Sequence, residues 1–134
     1  MTDVPPILLV EDDQVDIMIV KRGFRKLNVI NELMVVNDGE QALAYLEHAL
    51  SRLPSLILLD INMPKMNGRE CLKQLKKHPV FKTIPVVMLS SSQERHDVDQ
   101  CLEMGIVGYI LKSVEFADFL TSIQVLKPYW IQRP

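Results

Sequence analysis

The chain has 134 residues, which suits one compact domain with a real core and leaves no room for a second module of ordinary size. Lys plus Arg number 15 against 17 Asp plus Glu, a net charge of -2, so no global basic field exists to hold nucleic acid or an anionic membrane. Two cysteines without C-x-x-C spacing, a start lacking a signal-like stretch, and apolar runs far short of the roughly 18 residues that span a bilayer together predict a reduced, cytoplasmic protein that engages neither membrane nor nucleic acid.

In chain order, the first apolar segment is Ile7 to Val10, and its unbroken hydrophobicity is what a strand needs when helices cover both faces of its sheet. Ile17, Val20, Phe24 and Leu27 then recur at helical spacing. A second strand is predicted over Leu33 to Val36, followed by a helix carrying Leu43, Leu46 and Leu50. Asp38-x-x-Gln41 supplies a capping box at its start. A third strand covers Leu56 to Leu59, with Leu72 and Leu75 on the next helix. Val86 to Leu89 forms the fourth strand, and Ser91-x-x-Glu94 caps a helix bearing Val98, Cys101 and Leu102, which ends before Gly105. The fifth strand covers Tyr109 to Leu111, and the last helix, with Phe116, Phe119, Leu120 and Ile123, stops near Pro128.

Five alternating β/α units predict an α/β fold, a doubly wound parallel sheet in the order 2-1-3-4-5 with helices on both faces. One domain over residues 1–134 is expected, its core about 6–127 and its tail 128–134, with no repeats and no linker.

Ligands of such sheets bind beyond the carboxyl ends of the strands. Glu11, Asp12 and Asp13 follow the first strand, Asp60 the third, Ser90 the fourth and Lys112 the fifth. The first and third strands are neighbours in the expected order, so Glu11 or Asp12 lies close to Asp60. Crowded carboxylates repel unless a cation joins them. Oxygen ligands favour Mg²⁺, whereas Zn²⁺ would want His or Cys, and none of His48, His78 or His96 ends a strand. With the ion in place one carboxylate can attack phosphorus, while Lys112 balances charge on the equatorial oxygens and Ser90 hydrogen-bonds one of them. Taken singly these residues have plainer explanations: Asp13 as the N-cap of the first helix with Asp16 in its first turn, Ser91 as another cap, Lys112 as a solvated charge. Their coincidence at four strand ends favours a site.

The pattern Leu9-Val10-Glu11-Asp12, Leu58-Leu59-Asp60-Ile61-Asn62-Met63-Pro64-Lys65-Met66-Asn67-Gly68, Met88-Leu89-Ser90 and Gly108-Tyr109-Ile110-Leu111-Lys112 resembles response-regulator receiver domains over essentially the whole chain. The resemblance implies the flavodoxin-like (βα)5 fold of CheY-like proteins and a single-domain regulator of a two-component phosphorelay. In that reading a histidine kinase transfers a phosphoryl group to Asp60 in a Mg²⁺-dependent reaction. The ion is held by Asp12, Asp60, the backbone carbonyl of Asn62 and, through water, Glu11. Lys112 and Ser90 engage the phosphoryl group, and Tyr109 moves with Ser90 to signal on the face of helix four, strand five and helix five. Asn62 and Ser92 occupy the positions that tune hydrolysis; both are small and polar, so the phosphorylated form should last minutes or less.

Within the same loop, Pro64 presets a turn and Gly68 supplies a backbone conformation that side chains resist. Where the family usually has proline after the lysine, this chain has Ser113. The Lys112-Ser113 bond is then either trans or held cis under strain, and Ser113 also reads as the N-cap of the last helix.

That Lys-Ser pair and the ending Lys127-Pro128-Tyr129-Trp130 are similar to small regulators partnered with bacterial phytochrome-type kinases. Such regulators often form homodimers through the helix-four to helix-five face. The apolar tail Tyr129-Trp130-Ile131 either joins such a contact or folds back onto the domain.

Other classes fit less well. An aspartate-based phosphatase or mutase wants a second acid where Asn62 stands, and a flavin or nucleotide carrier wants a phosphate-cradling loop where Glu11-Asp12-Asp13 stands. A receiver-like interaction module that works without phosphorylation is the remaining alternative.

Overall fold

The computed structural model describes residues 4–63, 65–91, 95–112 and 115–130. Its elements run β1 (Ile7–Val10), α1 (Gln14–Lys26), β2 (Leu33–Val36), α2 (Gly39–His48), β3 (Leu56–Asp60), α3 (Gly68–Lys77), a short 3-10 turn (Phe81–Thr83), β4 (Val86–Ser90), α4 (Arg95–Glu103), β5 (Gly108–Leu111), α5 (Phe116–Val125) and α6 (Lys127–Trp130). All strand pairs are parallel, in the order β2-β1-β3-β4-β5. This is the expected topology.

The strands divide their side chains by alternation. Leu8, Val10, Ile57, Leu59, Val86 and Met88 point to the layer that holds Leu46, Leu72, Leu75 and Cys101 of α2, α3 and α4. Ile7, Leu9, Leu56, Leu58, Val87 and Leu89 point to the layer that holds Val20, Phe24, Phe119 and Ile123 of α1 and α5. Because β1, β3 and β4 are buried on both faces, their residues read as continuous apolar runs. The edge strand β2 is only half-buried throughout.

Helix starts are fixed by side-chain caps close to the strand ends. Asp13 accepts from Asp16 N at 3.0 Å, which starts α1 immediately after the acidic run. Asp38 accepts from Gln41 N at 2.9 Å, but the Gln41 side chain reaches back to Asn37 N at 2.8 Å rather than to the cap residue itself. A full capping box lies instead at α3, between Asn67 and Glu70, where no cap was expected. The N-cap of α5 is Glu115, without a side-chain bond, so the expectation that Ser113 fills that place is not met. Gly105 has φ +87 and follows α4 as expected. The box expected from Ser91 to Glu94 extends beyond the described residues.

Two leucines expected on inward stripes are exposed. Leu50 falls beyond Ala49, which caps the end of α2, and Leu102 lies on the outer side of α4. The fifth helix stops at Val125, near Pro128 as expected, and of the two alternatives for the apolar tail Trp130 takes the fold-back one. After Leu126 the backbone takes one more helical turn with Pro128 inside it, where the missing N–H has no helical partner to lose. That turn folds Trp130 back onto α1, 6.0 Å from the ring of Phe24 and 5% exposed, and leaves Tyr129 at the surface. Asn31 secures this closure by donating to Trp130 O and Pro5 O, each at 2.9 Å.

The contrast between neighbours is testable by urea denaturation. Trp130→Ala should lower the unfolding free energy by about 3 kcal/mol through loss of buried ring area. Tyr129→Ala should change it by less than about 0.5 kcal/mol.

Candidate functional site

The carboxyl ends of β1, β3 and β5 open onto one cleft of about 620 Å³ lined by Glu11, Asp12, Asp16, Asp60, Asn62 and Lys112, among others. Register explains the convergence. Val10 pairs with Leu59 across β1 and β3, so Glu11 and Asp60, each one residue further on, leave the sheet side by side. Oxygen atoms of Glu11, Asp12 and Asp60 lie within 4.8 Å of one another. Glu11 and Asp60 are buried, and Asp12 is exposed at the mouth.

At about 5 Å and an effective dielectric near 20, two unit charges repel by about 3 kcal/mol, so a cluster of this kind needs compensation. Lys112 supplies it. Its ammonium contacts Glu11 Oε1 at 2.8 Å, Asp16 Oδ2 at 2.9 Å and Asp60 Oδ1 at 2.9 Å. Burial alone would lower the basicity of the lysine, but the bonds from the three carboxylates outweigh it and hold the ammonium above its ordinary value. Burial pushes Glu11 up from 4.5 to about 7; the Lys112 bond opposes that rise and the Asp60 charge adds to it. Five carboxylates, Asp13 among them, against one ammonium leave the cleft negative.

Glu11 is fixed by its surroundings. Its Oε2 accepts from Asp13 N at 3.2 Å and its carbonyl accepts from the Asn37 side chain at 3.0 Å. Its other oxygen, Oε1, is buried and faces the Lys112 ammonium at 2.8 Å. Such an oxygen, beside two further carboxylates, fits a hard divalent cation.

Asp60 is held by its backbone. Gly68 N donates to Ile61 O at 2.8 Å, folding the following loop under the site. A Cβ at position 68 would collide with the carbonyl oxygen of Asp60 and come within 2.7 Å of Ile61 Cα. Glycine is therefore required for close approach and not, as expected, for an unusual backbone angle. The left-handed residue of this loop is Lys65, at φ 62. Pro64 is outside the described residues.

Ser90 ends β4, is 1% exposed, and accepts from Lys112 N at 2.8 Å, which ties the hydroxyl residue to the lysine strand. Ser90 also borders a smaller polar cavity of about 160 Å³ with Asn62, Asn67 and Arg69. Asn62 N donates to Asp60 Oδ1 at 3.4 Å. Tyr109 is half-buried against the core layer of α3 and α4, in register with Met88. Ser92 and Ser113 lie outside the described residues, and with them the expected hydrolysis position and the character of the Lys112-Ser113 bond. Sequence reasoning missed the contact from Asp16 to Lys112. Its only signal was an acid in the first turn of α1, one helical turn after the acidic run, which is explained equally well as a helix-start preference.

The family model for the response regulator receiver domain matches residues 7–124. The chain belongs to this family. Response regulator Rcp1 of Synechocystis sp. is 37% identical over 96% of this chain and 91% of its own length. The Mn(2+)-bound form of Rcp1 superposes with a TM-score of 0.81 at 36% identity, covering 97% of this chain and 99% of the other. The bacteriophytochrome response regulator RtBRR gives a TM-score of 0.83 at 41% identity, covering 97% of this receiver and 82% of that chain. The phosphorylated cyanobacterial phytochrome response regulator RcpA gives 0.81 at 36% identity, covering 94% and 93%. This receiver is accordingly a signalling protein of the two-component type, and the oxygen donors of its acidic cluster fit a divalent cation. Among the described residues no helix is long and apolar enough to cross a membrane.

The raised Glu11 gives the pocket a pH signature. Between its unfolded value of 4.5 and its folded value of about 7 the native state holds a proton that the unfolded state has lost. Stability without metal should therefore fall as pH rises through that window. Glu11→Gln should flatten this slope in chelator-containing thermal melts. Divalent-ion affinity, measured by calorimetry, should weaken as pH falls from about 8 to about 6, because the ion must displace that proton.

Proposed function

We propose that Asp60 is the phosphoacceptor of a Mg²⁺-dependent receiver acting in the cytoplasm and that its donor is a histidine kinase, of the phytochrome type on the likeness to RtBRR and RcpA. The observation that carries this reading is the meeting of a buried Asp60 with Glu11, Asp12 and the Lys112 ammonium in one open cleft. In this reading Asp12, Asp60 and the Asn62 carbonyl hold Mg²⁺, with Glu11 reaching it through water. An ion held there would neutralise charge on the phosphoryl oxygens and lower the repulsion between the incoming group and the acidic pocket.

The remaining work falls to the protein's own groups. An Asp60 carboxylate oxygen attacks phosphorus in line as the bond from phosphorus to the donor's imidazole nitrogen breaks. Lys112 faces one equatorial oxygen with its ammonium, and the Ser90 hydroxyl donates to another. Val15 and Met18 of α1, exposed next to Asp16, provide an apolar rim on which a donor helix can pack. Engagement of Ser90 shifts the populations of two packed states, with Tyr109 following toward the face of α4, β5 and α5. In the same reading Asn62 and Ser92, both small and polar residue types, tune hydrolysis toward a short-lived aspartyl phosphate.

Mass spectrometry after incubation with acetyl phosphate tests the chemistry. Wild type with Mg²⁺ should gain one phosphoryl mass that decays within minutes, and should gain none with chelator. Asp60→Asn should gain none under either condition. Wild type that stays unlabelled, or a mutant labelled equally, would overturn the assignment.

The same face is proposed to pair two copies of the phosphorylated chain. Exposed apolar residues of these elements are Leu102 on α4 and Val125 on α5, with Val107 just before β5 and Tyr129 on α6. Light scattering should show a doubled mass on phosphorylation, and Tyr129→Ser with Val125→Ser should abolish it.

A further inference from the structure

Three carboxylates hold the Lys112 ammonium, and they are not equivalent. Glu11 and Asp60 belong, with Asp12, to the set of oxygens that can close on one ion, and Asp16 does not. Asp16 is placed by a different element: its amide is bonded to the Asp13 cap at 3.0 Å, so its position follows from where α1 begins. The start of a helix also favours a negative side chain. Its backbone is thus fixed independently of the cluster, and its carboxylate reaches Lys112 from α1.

This difference matters once a cation is taken up. Glu11 Oε1 and Asp60 Oδ1, which receive the ammonium at 2.8 and 2.9 Å, are oxygens that the cluster would offer to the ion. A lysine that kept both would compete with the ion, and a lysine that lost both would regain the freedom of its four-carbon stem. Asp16 Oδ2 at 2.9 Å removes that choice. We propose that Asp16 is a positioning residue, which retains the Lys112 ammonium at the α1 wall of the cleft while Glu11 and Asp60 turn to other partners. The lysine then stays aimed at the place where the phosphoryl oxygens arrive, without occupying the cluster. The inference rests on the reading of Asp60 as phosphoacceptor.

Two measurements test it on the full chain. In NMR spectra of lysine side-chain ammonium groups, recorded with saturating Mg²⁺ and no phosphoryl donor, the Lys112 signal should persist in wild type and Asp16→Glu through slow proton exchange. It should vanish in Asp16→Asn; an undiminished signal there overturns the proposal. In acetyl phosphate kinetics at saturating Mg²⁺, Asp16→Asn should label about tenfold more slowly than wild type, with Asp16→Glu restoring most of the rate. In a Lys112→Ala background Asp16→Asn should change the rate by less than about twofold, because the group it positions is gone. An equal loss in both backgrounds, or no loss in either, overturns the proposal. Melting curves of Asp16→Glu and Asp16→Asn establish that each variant is folded. Wild type that fails to label would instead refute the phosphoacceptor reading, whereas labelled wild type with an indifferent Asp16→Asn refutes only the role of Asp16.

Discussion

One ammonium set among carboxylates is the interaction on which this receiver depends. A sheet of buried apolar strands brings Glu11 and Asp60 out of the core side by side, where they have lost most of their water. Burial and the Asp60 charge both push Glu11 up, and Lys112, reaching from the end of β5, opposes that rise and contacts both carboxylates. The arrangement is not there for stability, since buried charges of this kind repay their desolvation only in part. It keeps a strongly negative pocket assembled and ready for a divalent ion.

The rest of the fold supplies rigidity to that pocket. Both core layers press on β1, β3 and β4, so the strand ends cannot shift without disturbing packed side chains on two sides. Helix caps act at the same level. Asp13 begins α1 directly beyond the acidic run, and the capping box of Asn67 and Glu70 begins α3 at the foot of the loop that starts from Asp60. Gly68 lets that loop lie flat against the Asp60 carbonyl. The β5 edge of the sheet is built more loosely, with Tyr109 and Leu111 only half-buried.

The strands, their order and the residues at their carboxyl ends were legible because each depends on a local property: an unbroken apolar run, or a polar residue directly after it. Elements governed by distant contacts were not. Leu50 and Leu102 have helical spacing but face outward, since spacing alone does not say where a helix stops or how it is rotated. The cap of α3 was overlooked because Asn67 falls within a run already explained as a loop. Gly68 was correctly marked as special for the wrong physical reason, since a collision with another segment's carbonyl leaves no trace in local sequence. Asp16 illustrates the same limit within the site: its partner lies nearly a hundred residues away in the chain, and its local role as a helix-start acid was sufficient explanation.

Asn31 carries a further consequence. By donating from one amide to Pro5 O and Trp130 O, it joins the segment entering β1 to the last turn of α6 at the amino end of the strands. The cleft opens at the other end. A fluorophore attached at exposed Tyr129, beside this junction, would therefore sit at the end of the domain opposite the cleft.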